Sequence, residues 1–330
     1  MTILKETKKS TKQRGGRPVP LVQHLRSRAR AETYSAVSVV NALSTGRGST
    51  VAIDLKCVSE MRIEHTSNDR SRGRVAISSG NRDVHGLIPK CIDYGFKFLN
   101  KIRSGLLEDY GHYSISVRIA SEIPPACGLK SSSAVSTAVV NSLFRLFIDD
   151  PDPKDVLDVS CRASKDSGAS ITGAYDDAAA CLLGGLVLTD NSKFRILKHA
   201  NVPESIGNTV LLLIPPRAKR KFTSSIDRSA YTHFRRESGD AFQYALKGDL
   251  PQAMFLNSMV QSLALRYSLR PVLDAILEGA TAAGISGKGP AIFAFCRDKK
   301  SAGRIGRAWM EDKLDTGMRT IETRVVQPKR

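Results

Sequence analysis

Residues 124–134 read PPACGLKSSSA, and they separate a strand-like segment from a helix-like one. Before them, Tyr113–Ile119 alternates apolar and polar residues, which predicts a half-buried strand. The two prolines stop this strand, and Gly128 opens a turn. After the serines, Ala134–Ile148 is apolar and predicts a helix. The expected order is therefore strand, Gly-containing loop, serine cluster and helix.

The start of this helix is suited to an anion. The first N–H groups of a helix lack intrahelical partners, and the helix dipole favours negative charge there. The serine hydroxyls add donors or a ligand for Mg²⁺, and Lys130 adds a positive charge. A merely N-capped helix is the alternative, although three serines exceed what one cap requires. The motif GxxxxGK[ST] is absent from the sequence, which argues against a P-loop kinase.

A second segment, Ser170–Ala178, reads SITGAYDDA and carries two adjacent carboxylates. Asp176 and Asp177 are costly to bury unless they are paired or linked to a metal. Asp166 lies upstream at a distance that could bring three carboxylates near one Mg²⁺–nucleotide. One of the pair could instead cap the following helix, which leaves the other unexplained. We predict a turn over Gly173–Asp177.

A third segment, GISGKGPAIFAF (Gly284–Phe295), is a Gly-rich turn followed by an apolar strand. Its glycines allow a positive φ and a close backbone approach. A tight structural turn explains the same residues, so this segment alone does not indicate a function.

The composition limits the remaining classes of function. A length of 330 residues indicates two domains, and the net charge is +18. Much of that charge lies in the first 30 residues, which we expect to be a flexible basic tail. Nucleic-acid binding favours aromatics among the basic residues, and none precedes Tyr34, so we do not expect a nucleic-acid partner. A positive field also attracts anionic substrates to a cleft.

Other patterns exclude further classes. No apolar run approaches the ~20 residues of a membrane span, and the start lacks the apolar segment of a secretory signal. We therefore expect a cytoplasmic protein without a membrane partner. The six cysteines form no CxxC pair and are expected to be buried thiols, and the histidines show no metal-ligand spacing. The oligomeric state is left open.

Together and in this order, the three segments resemble the motifs of the GHMP kinases, which include galactokinase, homoserine kinase and mevalonate kinase. Pro124–Ala134 is similar to PxxxGLGSSA with one extra residue, and Ser286–Pro290 to a GxSGxGP-type turn. Thr172–Ala178 (TGAYDDA) resembles SGxDNA of the mevalonate kinases. Within the superfamily, the archaeal-type shikimate kinases look most similar. The segments that carry this closer resemblance are VNALSTGRGSTVAIDL (Val40–Leu55), GLKSSSA (Gly128–Ala134), TGAYDDA, GISGKGPAIFAF and RAKRKFTSSID (Arg217–Asp227).

The resemblance implies an α+β fold of two domains. Residues 1–32 would be the basic tail and residues 33–195 an ATP-binding domain with a left-handed β-α-β crossover. Residues 196–330 would form a ferredoxin-like domain. The implied reaction is ATP plus shikimate giving ADP plus shikimate 3-phosphate, in the chorismate pathway of aromatic amino-acid biosynthesis.

The resemblance also implies site residues. Asp176 aligns with the catalytic aspartate, and Asp177 would hold the geometry beside it. Mg²⁺ would be held by Ser133 and Asp166, although Asp166 lies one residue closer to Asp176 than in mevalonate kinases. The expected ATP-binding residues are Pro124, Pro125, Ala126, Cys127, Gly128, Leu129, Lys130, Ser131, Ser132, Ser133 and Ala134. The second Gly loop comprises Ser286, Gly287, Lys288 and Gly289. Candidates for the substrate carboxylate are Arg47, Lys56 and Arg228, since guanidinium and ammonium groups suit a carboxylate.

Three points stay open in this interpretation. Mevalonate kinases carry an N-terminal lysine beside the catalytic aspartate, whereas Tyr34–Asn41 contains none, so Lys130 or an arginine would replace it. The acceptor could be homoserine or mevalonate, although homoserine kinases lack the catalytic aspartate. A basic nucleic-acid-binding protein without catalysis is the alternative of another class.

Overall fold

The first sheet belongs to the N-terminal part of the chain. The structure, a computed structural model, describes residues 26–65, 75–79, 86–102, 113–216, 229–311 and 317–329. The strands of this sheet are β1 (Arg28–Val40), β2 (Arg47–His65), β3 (Val75–Ser79), β4 (Tyr113–Ser121), β5 (Leu186–Asp190) and β6 (Arg195–Ala200). Their order is β3-β4-β2-β5-β6, with β1 paired to β2, and only β3 and β4 run parallel.

Four helices accompany this sheet. They are α1 (Leu87–Ile102), α2 (Ser131–Arg145), α3 (Pro153–Asp166) and α4 (Tyr175–Leu183). Helix α1 connects the parallel pair, which makes β3-α1-β4 a β-α-β unit. The sequence predicts a helix with Asp152 as N-cap and Pro153 at the first helical position. The structure has this start, because the Asp152 carboxylate accepts a hydrogen bond from the Lys154 N–H at 2.8 Å.

Two predictions about local structure are wrong. The sequence predicts separate strands at Thr50–Cys57 and Met61–His65. Strand β2 is instead continuous through Ser59, which is buried and hydrogen-bonded to the Ser142 hydroxyl at 2.8 Å. A turn was expected over Gly173–Asp177, but α4 already begins at Tyr175 and places both aspartates in its first turn.

Two strands of the first sheet extend across the expected domain boundaries. Strand β1 starts at Arg28, so the last residues of the expected tail belong to the sheet. Strand β6 continues to Ala200 and pairs with β5, so the first sheet extends beyond residue 195. The first 25 residues, the segment 217–227 and the candidate Arg228 lie outside the described residues.

The second sheet has the strand order of a ferredoxin-like domain. Its strands are β7 (Thr209–Ile214), β8 (Ala282–Ile285), β9 (Ile292–Cys296) and β10 (Arg319–Arg324). They are antiparallel in the order β10-β7-β9-β8, which confirms the expected architecture. Its helices are α5 (Arg235–Lys247), α6 (Leu250–Leu265), α7 (Arg270–Leu277) and α8 (Lys299–Glu311). The sequence predicts a helix over residues 270–283. Helix α7 ends earlier, at Leu277, because Gly279 adopts a positive φ and β8 begins at Ala282.

The two sheets share one interior. A continuous cluster of buried apolar residues includes Val37 of β1, Phe144 of α2 and Phe293 of β9. An isolated bridge also joins Ile53 of β2 to Val325. Within the described ranges, no helix combines the length and the apolar character needed to cross a membrane. The contact between β1 and the second domain positions the loops described next.

Candidate active site

The N-terminus of α2 presents backbone donors. Lys130 occupies the N-cap position with φ 63°, and no side chain caps the helix. The serines therefore do not cap the helix, and the alternative interpretation of a merely N-capped helix is wrong. Ser132 is exposed, Ser131 is half-buried and Ser133 is buried. The first-turn N–H groups are thus suited to an anion such as a phosphate.

Strand β1 fixes the loop that precedes α2. The Ser35 hydroxyl donates to the Leu129 carbonyl at 2.8 Å, and the Thr33 hydroxyl donates to the Ala134 carbonyl at 2.9 Å. Both hydroxyls are fully buried, so these bonds replace lost hydration as well as holding the loop. The loop is therefore anchored at both sides of Lys130.

The second Gly loop packs directly on the first. The Ser286 hydroxyl donates to the Gly128 carbonyl at 2.8 Å, and the Ala291 N–H donates to the Cys127 carbonyl at 3.0 Å. Gly128 has φ 92°, and a Cβ at this position would lie 2.0 Å from the Ser286 carbonyl oxygen. Only glycine permits this approach. The second Gly loop therefore supports the first from the C-terminal domain.

The side chain of Lys130 extends beneath both loops. Its Nζ lies 2.5 Å from the Ser38 hydroxyl of β1 and 3.0 Å from Asp177 Oδ1, and the side chain is 6% exposed. The Gly287 N–H donates to the same Ser38 hydroxyl at 3.1 Å, and a Cβ at Gly287 would lie 2.9 Å from Lys130 Nζ. The ammonium group is thus enclosed and is paired with one carboxylate.

Lys288 is the other lysine of the second Gly loop. Burial, followed by the nearby positive charge of Lys130, lowers its pKa to about 8. The Tyr267 hydroxyl donates to the Lys288 carbonyl at 3.0 Å, which fixes the backbone there. A second positive charge therefore lies near Lys130 at the loop junction.

Asp176 is buried, with 3% of its surface exposed. Its Oδ1 accepts a hydrogen bond from Asn191 Nδ2 at 2.8 Å, and its Oδ2 accepts one from the Thr50 hydroxyl at 3.3 Å. A Cβ at Gly48 would lie 2.1 Å from Asp176 Oδ2, so β2 needs glycine here. The carboxylate is therefore enclosed by β2 and by the turn after β5.

Asn191 is a site residue that sequence reasoning missed. It is buried, its side-chain carbonyl accepts from the Asp176 N–H at 3.2 Å and from the Thr189 hydroxyl at 2.6 Å, and its amide donates to the Thr172 hydroxyl at 3.3 Å. The available signal was a polar residue directly after the apolar strand β5. Asn191 thereby ties the TGAYDDA segment to the first sheet.

The surroundings of Asp176 disfavour its charged form. Burial, and then the negative charge of Asp177, raise the pKa of the Asp176 carboxyl from 3.8 to about 7, against the opposing effects of Lys130 and Asn191. Such a carboxyl takes up a proton close to neutral pH.

Asp166, the expected metal ligand, ends α3. Its Oδ2 lies 2.7 Å from Lys90 Nζ of α1, and both side chains are about half exposed. Asp166 lines an open groove of about 920 Å³ together with Thr172 and Asn191, the residues that surround Asp176. The Asp166 carboxylate therefore lies on the same groove as the Asp176 network.

The structure separates the two described candidates for the substrate carboxylate. Arg47 is exposed at the start of β2, adjacent to Gly48, and its guanidinium lies 5.9 Å from the centre of the Phe242 ring of α5. Lys56 pairs with Glu32 at 3.3 Å and lies about 20 Å further along β2 than Thr50. Lys56 therefore lies away from the residues that surround Asp176.

Comparison with known proteins agrees with this arrangement. The shikimate kinase of Methanothrix thermoacetophila is 34% identical over 286 residues, which cover 86% of this chain and 90% of that protein. The GHMP kinases N terminal domain matches residues 97–185, and the GHMP kinases C terminal matches residues 243–315. The chain belongs to the GHMP kinases. This membership confirms the resemblance of the three motifs.

Other GHMP kinases extend the comparison. The shikimate kinase of Thermococcus kodakarensis is 35% identical over 265 residues, which cover 80% of this chain and 91% of that protein. The homoserine kinase structure from Cytophaga hutchinsonii has a TM-score of 0.68 at 18% identity and covers 93% of this chain and 97% of its own. The Methanococcus jannaschii mevalonate kinase has a TM-score of 0.66 at 15% identity, with 91% and 98% covered. This GHMP kinase is accordingly an ATP-dependent small-molecule kinase with the expected two-domain fold.

The raised pKa of Asp176 predicts a pH-dependent cost in stability. Between pH 3.8 and about 7 the folded protein holds a proton that the unfolded chain releases, so stability is lost as the pH rises through this window. Asp176→Asn removes the buried charge. We expect this variant to be more stable than the native protein by about 1–2 kcal/mol at pH 8 and by much less at pH 5.

Thermal unfolding at both pH values measures this difference. The matched control is Asp93→Asn, which removes an exposed carboxylate paired with Lys97 on α1 and should change stability by less than about 0.5 kcal/mol at either pH. An Asp176→Asn variant that loses stability equally at pH 5 and pH 8 would contradict the assignment of a buried, charge-disfavouring site.

Proposed function

We propose that this GHMP kinase transfers the γ-phosphoryl group of ATP to a hydroxyl of shikimate, giving ADP and shikimate 3-phosphate. The observation that supports shikimate as the acceptor is the similarity to archaeal shikimate kinases, at 34% and 35% identity over most of the chain. The homoserine and mevalonate kinase structures share the fold at 18% and 15% identity, so they do not indicate the acceptor.

The geometry suits phosphoryl transfer. This reaction requires mainly that the protein position the reactants and neutralise developing charge. The uncapped N-terminus of α2 would bind the ATP phosphates, and Lys130 provides a buried positive charge at the same point. The acidic pair Asp176 and Asp177 lies in the first turn of α4, where Asp177 pairs with Lys130, and would receive the acceptor.

Mg²⁺ is the ion we propose for the nucleotide. Its usual ligands are hydroxyl, carboxylate and phosphate oxygens, and one or two carboxylates suffice beside a substrate phosphate. Ser133 at the start of α2 and Asp166 at the end of α3 carry such oxygens, so the chemistry of this donor set fits the ion. Asp166 would exchange the Lys90 ammonium for the ion. Bound Mg²⁺ would neutralise phosphate charge.

Shikimate-dependent release of ADP tests the proposed function. Purified protein with Mg²⁺ and ATP should release ADP faster by at least about 100-fold when shikimate is present, because the chemistry requires the acceptor hydroxyl. Homoserine, mevalonate and galactose serve as the matched acceptors. Turnover with one of these alcohols and not with shikimate would support the kinase function but refute shikimate as the acceptor.

Arg47 is the residue we propose for the shikimate carboxylate. It lies at the exposed start of β2, next to the strand segment that contacts Asp176, and a guanidinium can bind a carboxylate through two hydrogen bonds. Arg47→Ala should raise the KM for shikimate by about 10- to 100-fold with little change in the KM for ATP. Lys56→Ala, on the same strand but outside the site, is the control. Equal effects of both variants on the KM for shikimate would exclude Arg47 as the residue that binds the shikimate carboxylate.

Asp166 can be tested through the demand for Mg²⁺. Asp166→Asn should raise the Mg²⁺ concentration needed for half-maximal turnover by about tenfold, because a neutral amide is a weaker ligand than a carboxylate. The control is Asp158→Asn, which removes another carboxylate of α3 that contacts Lys154. A titration of MgATP binding by calorimetry gives a second readout. An unchanged Mg²⁺ requirement in Asp166→Asn would remove this residue from the proposed site.

A further inference from the structure

The turn between β5 and β6 carries an aromatic residue in a backbone conformation that disfavours it. Phe194, the last residue before β6, has φ 47°, which lies in the left-handed region. A bulky non-glycine residue rarely adopts this region, and it persists there only where its surroundings compensate for the strain. Glycine or asparagine would fit the same turn at a lower cost. The contacts of the phenylalanine ring must therefore offset this cost.

The ring of Phe194 stacks on the ring of Tyr175, the first residue of α4. The ring centres lie 5.4 Å apart, and the ring planes differ by 8°. Aromatic rings in such a parallel, offset arrangement attract each other beyond the effect of the area that they bury. Tyr175 is fully buried and Phe194 is half-buried. The stack thus joins the turn after β5 to the start of α4.

The same ring packs against the segment that leads into α4. A Cβ at Gly173 would lie 2.9 Å from Cε1 and 3.0 Å from Cζ of Phe194, so the ring lies directly on this glycine. Gly173 has φ 83°, and Ala174, at the N-cap position, has φ 50°. No side chain of the described residues caps α4. Packing by Phe194 therefore supports a left-handed entry into the helix that carries the acidic pair.

Helix α3 holds Tyr175 at its other end. The Tyr175 hydroxyl donates to Asp158 Oδ1 at 3.4 Å, and Lys154 Nζ lies 5.9 Å from the centre of the Tyr175 ring. Lys154 and Asp158 also form an ion pair with each other. The Tyr175 side chain is therefore fixed by α3 through its hydroxyl and by Phe194 through the face of its ring.

The turn after β5 acts on the start of α4 through two kinds of contact. Asn191 holds Thr172 and Asp176 by hydrogen bonds, whereas Phe194 holds Gly173 and Tyr175 by packing. Hydrogen bonds set the direction of a side chain, and close packing excludes other arrangements of the backbone. This turn therefore restrains four of the five positions 172–176.

We propose that Phe194 and Tyr175 form an aromatic clasp that positions the acidic pair for phosphoryl transfer, with Phe194 as its positioning residue. This inference rests on the proposed function, in which the pair receives the acceptor. Asp176 and Asp177 directly follow Tyr175, so a shift of the Tyr175 ring rotates the first turn of α4 and moves both carboxylates. A misplacement of about 1 Å can cost about 100-fold in rate. Phe194 thus acts on the rate through the direction of these carboxylates.

The variant Phe194→Gly separates the clasp from a role in the turn alone. Glycine suits the left-handed backbone better than phenylalanine does, so this variant keeps the turn and relieves its strain. If Phe194 served only the turn, kcat would stay unchanged or rise. We expect Phe194→Gly to lower kcat by about 10- to 100-fold. The KM for ATP should change by less than about threefold, because the N-terminus of α2 is not part of the clasp.

Two variants of Tyr175 show whether the stacked ring is the feature that matters. Tyr175→Phe keeps the ring and removes only the hydroxyl, so it should retain at least about a third of the native kcat. Tyr175→Leu removes the ring and should reproduce the loss of about 10- to 100-fold seen in Phe194→Gly. Retention of kcat in the phenylalanine variant, together with its loss in the leucine variant, supports the clasp.

The matched control is Phe98→Leu. Phe98 of α1 is half-buried, as Phe194 is, and stacks on Phe144 near the end of α2, with ring centres 5.1 Å apart and planes 21° apart. Loss of this ring should lower the midpoint of thermal unfolding, because buried contacts are lost, and should leave kcat within about threefold of the native value. Each variant is assayed below its own unfolding midpoint.

Steady-state kinetics of these variants decide the proposal. A loss of kcat below about tenfold in Phe194→Gly would overturn it, as would equal losses in Phe194→Gly and Phe98→Leu, since reduced packing would then explain both. The native protein is assayed first, and the variants are compared with whichever alcohol it phosphorylates, so failure with shikimate refutes the acceptor alone. A native protein that phosphorylates no alcohol would refute the kinase function and the role of the clasp together.

Discussion

The ion pair between Lys130 and Asp177 joins the elements on which this site depends. The lysine begins α2, the aspartate lies in the first turn of α4, and Ser38 of β1 and Gly287 of the second Gly loop enclose the ammonium group. Removing one partner of a buried pair leaves an uncompensated charge, which is strongly unfavourable. The pair therefore requires both domains and both loops to take one arrangement, and this requirement explains why a lysine stands where related loops carry glycine.

Close backbone contacts follow from the same arrangement. Gly128 must lie against the Ser286 carbonyl if the second loop is to support the first, and Gly48 must lie against Asp176 if β2 is to enclose that carboxylate. Neither contact tolerates a side chain. In the resulting site the N-terminus of α2 stays uncapped. The positive charge of Lys130 lies behind the loop, and the acidic pair lies on α4. Preorganised charges of this kind are what phosphoryl transfer uses.

Local patterns predicted those parts of the fold that local chemistry determines. The strand–loop–helix junction at residues 113–148 and the start of α3 at Asp152 and Pro153 follow from proline, glycine and capping residues near in sequence. The continuity of β2 did not follow, because Ser59 is satisfied by Ser142 of a distant helix. Asn191 was missed for the same reason, since its partner Asp176 is remote in sequence. Periodicity and motifs carry no information about such partners.

The acidic pair shows what a sequence motif cannot determine, namely which of two adjacent aspartates matches the single aspartate of the related motif. Aligning TGAYDDA on its final alanine selects Asp176, and that choice leaves Asp166 one residue too close compared with mevalonate kinases. The alignment alone could not choose, since both aspartates occupy the first turn of α4. Successive helical residues point about 100° apart, so Asn191 binds Asp176 and Lys130 binds Asp177, while the Thr50 hydroxyl of β2 contacts both carboxylates. The partners of each side chain, which only the fold provides, distinguish the two carboxylates.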